Sequence, residues 1–302
     1  MKKALKWIGI VLGGLVALLV VVVIGLVIYA QMSFKRSYAN RPLYEINADT
    51  SPEAQARARY LMEGVMSCDV ACHSEFGARF AGGYDEVSEG PISAVFAVPN
   101  LTSDVETGLG GWSDAEIARA IREGVDKDGV GLVIMPANNY NALSDADVAA
   151  IIGYLRALEP VRNQVPPLSV NTVGKVMLAL GMLGPSSSVS EPITSAQITP
   201  EQGTVAYGAY LVSLADCRGC HGQDLAGGPM PFAEPGDAQP PNLTPAGRLP
   251  LWSEAEFIAT VREGQAPGRR LTDGMPRYQM NDGDLAAIFM YLNSLEPVET
   301  GN

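Results

Sequence analysis

The chain contains two histidines, and each directly follows a cysteine, in Cys68-Asp69-Val70-Ala71-Cys72-His73 and in Cys217-Arg218-Gly219-Cys220-His221. The same landmarks surround both points in the same order. Arg59-Tyr60-Leu61 precedes the first motif and Ala209-Tyr210-Leu211 the second. Pro99-Asn100-Leu101-Thr102, Trp112-Ser113-Asp114, Arg122-Glu123-Gly124 and Met135-Pro136 follow the first. Pro241-Asn242-Leu243-Thr244, Trp252-Ser253-Glu254, Arg262-Glu263-Gly264 and Met275-Pro276 follow the second. An ordered set of this length points to duplication of one structural unit. A chain of 302 residues suits two such units. The repeat places them at 51–160 and 196–297, with a Pro/Ser/Val-rich linker at 161–195.

Each unit reads as helical. Ser51-Pro52 matches an N-cap followed by proline in the first turn. Ser113 and Ser253 each precede an acidic first turn. Ser144-Asp145 opens a helix with Val148, Ile151, Ile152 and Leu155 on one face, and Asn281-Asp282 opens its counterpart. No long alternating strand pattern stands out, so the fold expected is all-α. Val176 to Leu183 is apolar but too short to span a bilayer. It is expected to be a short helix wedged between the units, with a membrane-surface contact as the alternative. Gly227 to Pro241 reads as a loop.

Trp7 to Ala30 carries no charge and is dominated by Val, Leu, Ile and Gly. At ~1.5 Å per residue it can cross a hydrocarbon core of ~30 Å. Its length exceeds a signal-peptide core, and Ile28-Tyr29-Ala30 is a poor cleavage site. Residues 1–34 are therefore expected to be an uncleaved anchor. Lys2, Lys3 and Lys6 favour a cytoplasmic N-terminus, with the rest exported. The formal net charge is −12, and beyond residue 30 it is −15. That surface repels phosphate backbones, so the charge argues against nucleic acid as a partner.

Cys217-x-x-Cys220-His221 is the attachment pattern of haem c. Two thiols add to the two vinyl groups of one haem, and the next residue presents imidazole to the iron. The alternatives are a zinc site, which needs about four ligands, and a redox pair, which needs a βαβ setting. Cys68-x-x-x-Cys72-His73 is one residue longer. The histidine still follows the second cysteine, so the extra residue must bulge or shift the first thioether. A disulfide or a single thioether is the competing reading.

No histidine remains to supply a sixth iron ligand, so methionine is the next choice, and it raises the reduction potential. Met135 is the only methionine between His73 and the linker, and Pro136 stiffens its loop. In the second unit Met275-Pro276 matches Met135-Pro136, while Met280 and Met290 fall at core positions of the repeat. Met135 and Met275 are the expected ligands. Trp112 and Trp252 either donate to a haem propionate or pack around it. Arg122 and Arg262 either pair with propionates or stand as exposed helix charges. Tyr60 and Tyr210 are expected to pack helices.

These residues make the chain resemble the class I c-type cytochromes, and among them the cytochrome subunits of bacterial membrane-bound alcohol and gluconate dehydrogenases. Glu106-Thr107-Gly108-Leu109-Gly110-Gly111-Trp112-Ser113-Asp114, Arg122-Glu123-Gly124-Val125 and Leu143-Ser144-Asp145-Ala146-Asp147-Val148 carry the likeness. The resemblance implies all-helical haem domains with thioether-bound haem and His/Met ligation. That family commonly carries three haem domains and often a cleaved signal. The repeat and the apolar run of this chain lead instead to an expectation of two tandem all-α class I cytochrome c domains behind one transmembrane helix, with two covalently bound haem c groups and no catalytic residue. The resemblance also implies electron transfer outside the cytoplasmic membrane, to or from a membrane-bound dehydrogenase, a respiratory or photosynthetic complex, or another redox protein. The competing function is a dihaem peroxidase with an open iron at the first site. That reaction normally needs a spare acid–base group.

Overall fold

The structure is a computed structural model that describes residues 2–74, 78–182, 188–229, 239–271 and 274–300. Helix α1 runs over Lys2–Phe34 without an acidic residue. Every residue from Lys6 to Gly25 is exposed, whereas Leu26, Val27 and Ala30 are partly or fully covered. The helix is long and apolar enough to cross a membrane.

In the first half, Ser51 caps α2 (Pro52–Arg59) by accepting from the Ala54 N–H. The helix continues as a π-helix over Tyr60–Val65. A second π-helical segment, Asp69–His73, carries the Cys-His motif. Ser113 and Glu116 form a capping box that starts α3 (Asp114–Glu123). A short α4 (Ala137–Tyr140) follows Met135-Pro136, and Ser144 caps α5 (Asp145–Arg156). The second half repeats this with α7 (Val205–Leu214), α8 (Cys217–His221), α9 (Glu254–Glu263) and α10 (Asp282–Asn293). Ser253 and Glu256 form the matching capping box. In each half the first and last helices pack together, α2 on α5 and α7 on α10. At Gly208 a Cβ would collide with the Ala287 carbonyl, so the α7–α10 crossing requires glycine there.

The all-helical expectation fails between His73 and Pro99. Strands β1 (Gly83–Glu89) and β2 (Ile92–Val98) form an antiparallel hairpin around Gly90-Pro91. Most of β1 is exposed on both faces, so no alternating apolar pattern marked it. The β-branched and aromatic content of Ile92, Val95, Phe96 and Val98 was the available signal. A short β3 (Ser169–Val170) joins β2 at its other edge. Among the described residues of the second half the strands are the two-residue β4 (Gln265–Ala266) and β5 (Arg269–Arg270).

The linker expectation also needs correction. Helix α6 (Thr172–Ala179) packs on α1 and β2 rather than between the halves. Leu183 lies outside the described residues. Other linker residues are tied to the first half: Ser190 N–H donates to the Glu123 carbonyl at 3.0 Å, and Val161 N–H donates to Thr102 Oγ1 at 3.1 Å. Loop closure on this surface satisfies backbone groups that a spacer between units would leave to water.

The halves meet through a reciprocal exchange. Tyr60 Oη donates to Asp284 Oδ2 at 2.7 Å and accepts from the Asn281 N–H at 3.1 Å. Tyr210 Oη donates to Asp147 Oδ2 at 2.7 Å and accepts from the Ser144 N–H at 3.2 Å. Each tyrosine therefore reaches the cap and first turn of the other half's last helix. The helix-packing expectation for these tyrosines understated them. Asp147 also takes Arg57, through Nε at 2.8 Å and Nη2 at 3.0 Å.

Tyr60→Phe and Tyr210→Phe test this exchange. A hydrogen bond to a buried carboxylate contributes about 1.5–3 kcal/mol. Asp147 keeps Arg57 when Tyr210 is lost, whereas Asp284 loses the hydroxyl that answers its carboxylate when Tyr60 is lost. Denaturation of the detergent-solubilised chain should show Tyr60→Phe as the costlier change; equal or reversed losses would contradict the assignment.

Candidate functional site

The longer Cys-His motif is accommodated by its backbone. His73 N–H donates to the Cys68 carbonyl at 3.0 Å, and Ser74 N–H to the Asp69 carbonyl at 2.9 Å. Both bonds span five residues, the signature of a π-turn, which absorbs one extra residue inside a helix. The shorter motif lies on the α-helical α8. In both, the residue before the first cysteine is left-handed, Ser67 at φ 52° and Asp216 at φ 50°. Asp69, inside the π-turn, is held by Arg79 Nε at 2.5 Å and by the Ser74 hydroxyl.

The histidines are aimed alike. His73 Nδ1 lies 3.1 Å from the Pro99 carbonyl, and His221 Nδ1 lies 2.9 Å from the Pro241 carbonyl. A carbonyl only accepts, so Nδ1 carries the proton and Nε2 keeps its lone pair, as a metal-ligating imidazole requires. Burial lowers the pKa of both rings, which favours the neutral form that can bind a metal. The backbone around them repeats too. Gly82 N–H donates to the His73 carbonyl and Gly227 N–H to that of His221. Leu101 N–H meets the Phe80 carbonyl, and Leu243 N–H that of Leu225.

In the first half a cavity brings together Cys68, His73, Trp112 and Met135, four of the residues expected there. Its remaining walls are apolar, including Leu101, Leu109, Ile121 and Leu155. Met62 and Met66 also line it. Sequence reasoning passed over them because it sought sulfur only after His73; their signal was the four-residue spacing that puts both on one helix face. Burial pushes the Cys68 and Cys217 thiols up to about 12 and also raises Cys220. A redox-active pair needs the opposite, a stabilised thiolate. Cys68, Cys217 and Cys220 form no disulfide. Among the described residues, no three His, Cys, Asp or Glu side chains converge as a metal-binding group.

In the second half, Cys217, Trp252, Met275 and Tyr278 are partly buried against the core. Arg277 donates to the Met275 carbonyl and pins its loop. Met280 is 3 % exposed, within the core. Met290 is 45 % exposed, so the core position expected for it is a surface position of α10. Arg122 is 1 % exposed and pairs with Asp145 at 2.7 Å, so the exposed-charge reading fails for it. Arg262 makes the matching pair with Asp282 at 2.5 Å. Both arginines thus tie the third helix of their half to the first turn of the last one.

The two sites abut. Asn139, four residues after Met135, donates through Nδ2 to Asp216 Oδ1 at 2.7 Å, and its carbonyl accepts from Ser213 Oγ at 2.9 Å. Asp216 immediately precedes Cys217. In return, Gln279 N–H, four residues after Met275, donates to the Gly64 carbonyl at 3.2 Å. A Cβ on Gly64 would lie 3.0 Å from the Gln279 carbonyl oxygen, so that approach depends on glycine. Tyr140 is buried, and Tyr278 Oη donates to the Ala215 carbonyl at 2.7 Å. Each half thus lays the loop after its Met-Pro against the approach to the other half's cysteines.

The cytochrome c family matches residues 205–296. The cytochrome c subunit of a quinone alcohol dehydrogenase from Gluconacetobacter polyoxogenes is 30 % identical over 257 residues, covering 76 % of this chain and 53 % of its own. The gluconate 2-dehydrogenase cytochrome c subunit of Pantoea cypripedii is 29 % identical, covering 75 % of this chain and 56 % of its own. A diheme cytochrome c-type protein of Cereibacter sphaeroides is 27 % identical, covering 84 % of this chain and 90 % of its own. The chain spans about half the length of the dehydrogenase subunits it matches. A cytochrome c domain implies covalently bound haem c. Through residues 205–296 the chain belongs to the cytochrome c family, and its relatives include cytochrome c subunits of alcohol and gluconate dehydrogenases.

Proposed function

We propose that the chain is a membrane-anchored dihaem cytochrome with tandem domains at 51–160 and 196–297, passing electrons between a membrane-bound dehydrogenase and a second redox partner. The observation that carries this reading is the paired aim of His73 and His221, each with Nδ1 committed to a proline carbonyl beside its cysteines. Cys68, Cys72 and His73 with Met135 would hold one haem, and Cys217, Cys220 and His221 with Met275 the other. Trp112 and Trp252 would pack against them. When bound, haem c supplies one-electron chemistry at iron, tuned to higher potential by a thioether ligand.

The chain's own residues prepare that chemistry. The Nδ1 bonds fix imidazole tautomer and plane, the apolar walls exclude water, and the Met-Pro loops are restrained by Pro136 and by Arg277. The contact of Asn139 with Asp216 and that of Gln279 with Gly64 hold the two sites together for transfer within one chain. Helix α1 would hold the cytoplasmic membrane, with Lys2, Lys3 and Lys6 inside and both haem domains on the extracytoplasmic side. Net charge is −10 over 51–160 and −6 over 196–297, so the first domain offers the more acidic face to a basic partner. A respiratory or photosynthetic complex would fit the same surface.

A pyridine haemochrome assay with an optical redox titration tests the function. The expected result is two haems per chain, both low-spin and both of positive potential. One haem per chain, or a high-spin iron that reacts with peroxide, would overturn it. The ligand assignment separates by substitution. Met275→Ala should abolish the low-spin His/Met spectrum of one haem. Met280→Ala should keep the spectrum and destabilise the chain by about 2–5 kcal/mol, as for a buried methionine. At the longer motif, Cys68→Ser should leave haem attached through Cys72, with a red-shifted pyridine haemochrome band. Loss of covalent haem from that site would count against attachment at Cys72.

A further inference from the structure

We propose that α6 is a second membrane element, lying in the bilayer surface beside the end of α1; this rests on the reading of α1 as a membrane span. The linker around α6 is unusual in charge. Between Arg162 and Glu191, Lys175 is the only charged residue. Its helix, Thr172–Ala179, packs on α1, and the Lys175 ammonium lies 5.6 Å from the centre of the Phe34 ring. The covered positions of α1 are Leu26, Val27, Ala30, Gln31, Ser33 and Phe34, its last turns. Leu26 to Ala30 belong to the uncharged run that would occupy hydrocarbon. A helix seated on those turns shares their surroundings.

The exposed side of α6 suits lipid. Gly174 faces the sheet, where a Cβ would meet Val170 and lie 3.3 Å from Ile92, and Lys175 faces α1. At about 100° per residue, the arc opposite these two carries Val173, Val176, Met177 and Leu180. The only polar side chain on it is Thr172, at the edge of the arc in the first turn. Val173 is 42 % exposed, Leu180 49 % and Met182 59 %. A helix facing water would carry polar residues on that arc, and a large bare apolar patch is a contact surface. Lys175 can run its aliphatic stem along Phe34 and keep its ammonium at the headgroups. The hairpin then has a role. β3 joins β2, α6 packs on β2, and β1–β2 belong to the first half, so the sheet braces the first site at a set height above the membrane.

The test uses the full haem-loaded chain in phospholipid vesicles, with one nitroxide-labelled cysteine added per variant. Leu180→Cys and Met182→Cys report α6, Val16→Cys the middle of α1, and Ser294→Cys an exposed water reference. Collision with oxygen, which concentrates in lipid, is compared with collision with a water-soluble nickel complex. At 180 and 182 the ratio should lie between those at 16 and 294 and exceed that at 294 several-fold. Lipid values at 16 with water values at 180 and 182 would overturn the α6 proposal and leave the anchor intact. Water values at 16 would overturn the anchor reading, and the α6 proposal with it. Protection from both agents at 180 and 182 would indicate burial in protein and would also overturn the proposal.

Discussion

The arrangement depends on two carboxylates that cannot be left alone. Asp147 and Asp284 sit in the first turns of equivalent helices and are almost completely buried. A buried carboxylate without partners is costly, and each is answered by a tyrosine from the other half. The exchange is reciprocal, so neither half completes its last helix alone. Because a tyrosine ring is rigid and a hydrogen bond tolerates little error in distance, the exchange also sets register. That register brings the loop after each Met-Pro against the segment before the opposite cysteines. The proximity of the two sites thus follows from helix capping and carboxylate desolvation, two terms that have nothing to do with redox chemistry.

The site itself was legible because its chemistry needs rare residues in fixed order. Two cysteines and a following histidine leave few alternatives, and repeated Trp-Ser, Arg-Glu-Gly and Met-Pro landmarks located the walls. Less was legible about how the residues are held. That Pro99 and Pro241 would present carbonyls to Nδ1 depends on loops closing over distances of 26 and 20 residues. The extra residue in the first motif was visible, and a bulge was one of two outcomes it allowed. Backbone hydrogen bonding chose a π-turn, which keeps Cys72-His73 in phase and stores the insertion before it. Met62 and Met66 entered the cavity wall from a helix that the repeat had marked only as packing.

The strands and the linker escaped sequence reasoning for one physical reason. Both lack the one-sided burial on which periodicity rests. β1 is exposed on most of both faces, and α6 is apolar nearly all round, so neither shows an amphipathic pattern. The structure places them together beside the last turns of α1, where water, lipid and protein would meet if α1 spans a membrane. Hydrophobic patterning assumes one solvent, and it fails at the place where two solvents would meet.

What the sequence carries by itself is a doubled set of motifs: two Cys-His motifs, two Met-Pro pairs, serine-started helices and one uncharged run long enough to span a bilayer. Those features are local, because thioether attachment, helix capping and membrane length are each decided within a few dozen neighbouring residues. Only the tertiary structure decided how the halves face one another, which carbonyls aim the histidines, and where the linker helix lies. Those depend on contacts between residues as far apart as Tyr60 and Asp284, where desolvation of a shared carboxylate, and not the propensity of either segment, selects the partner.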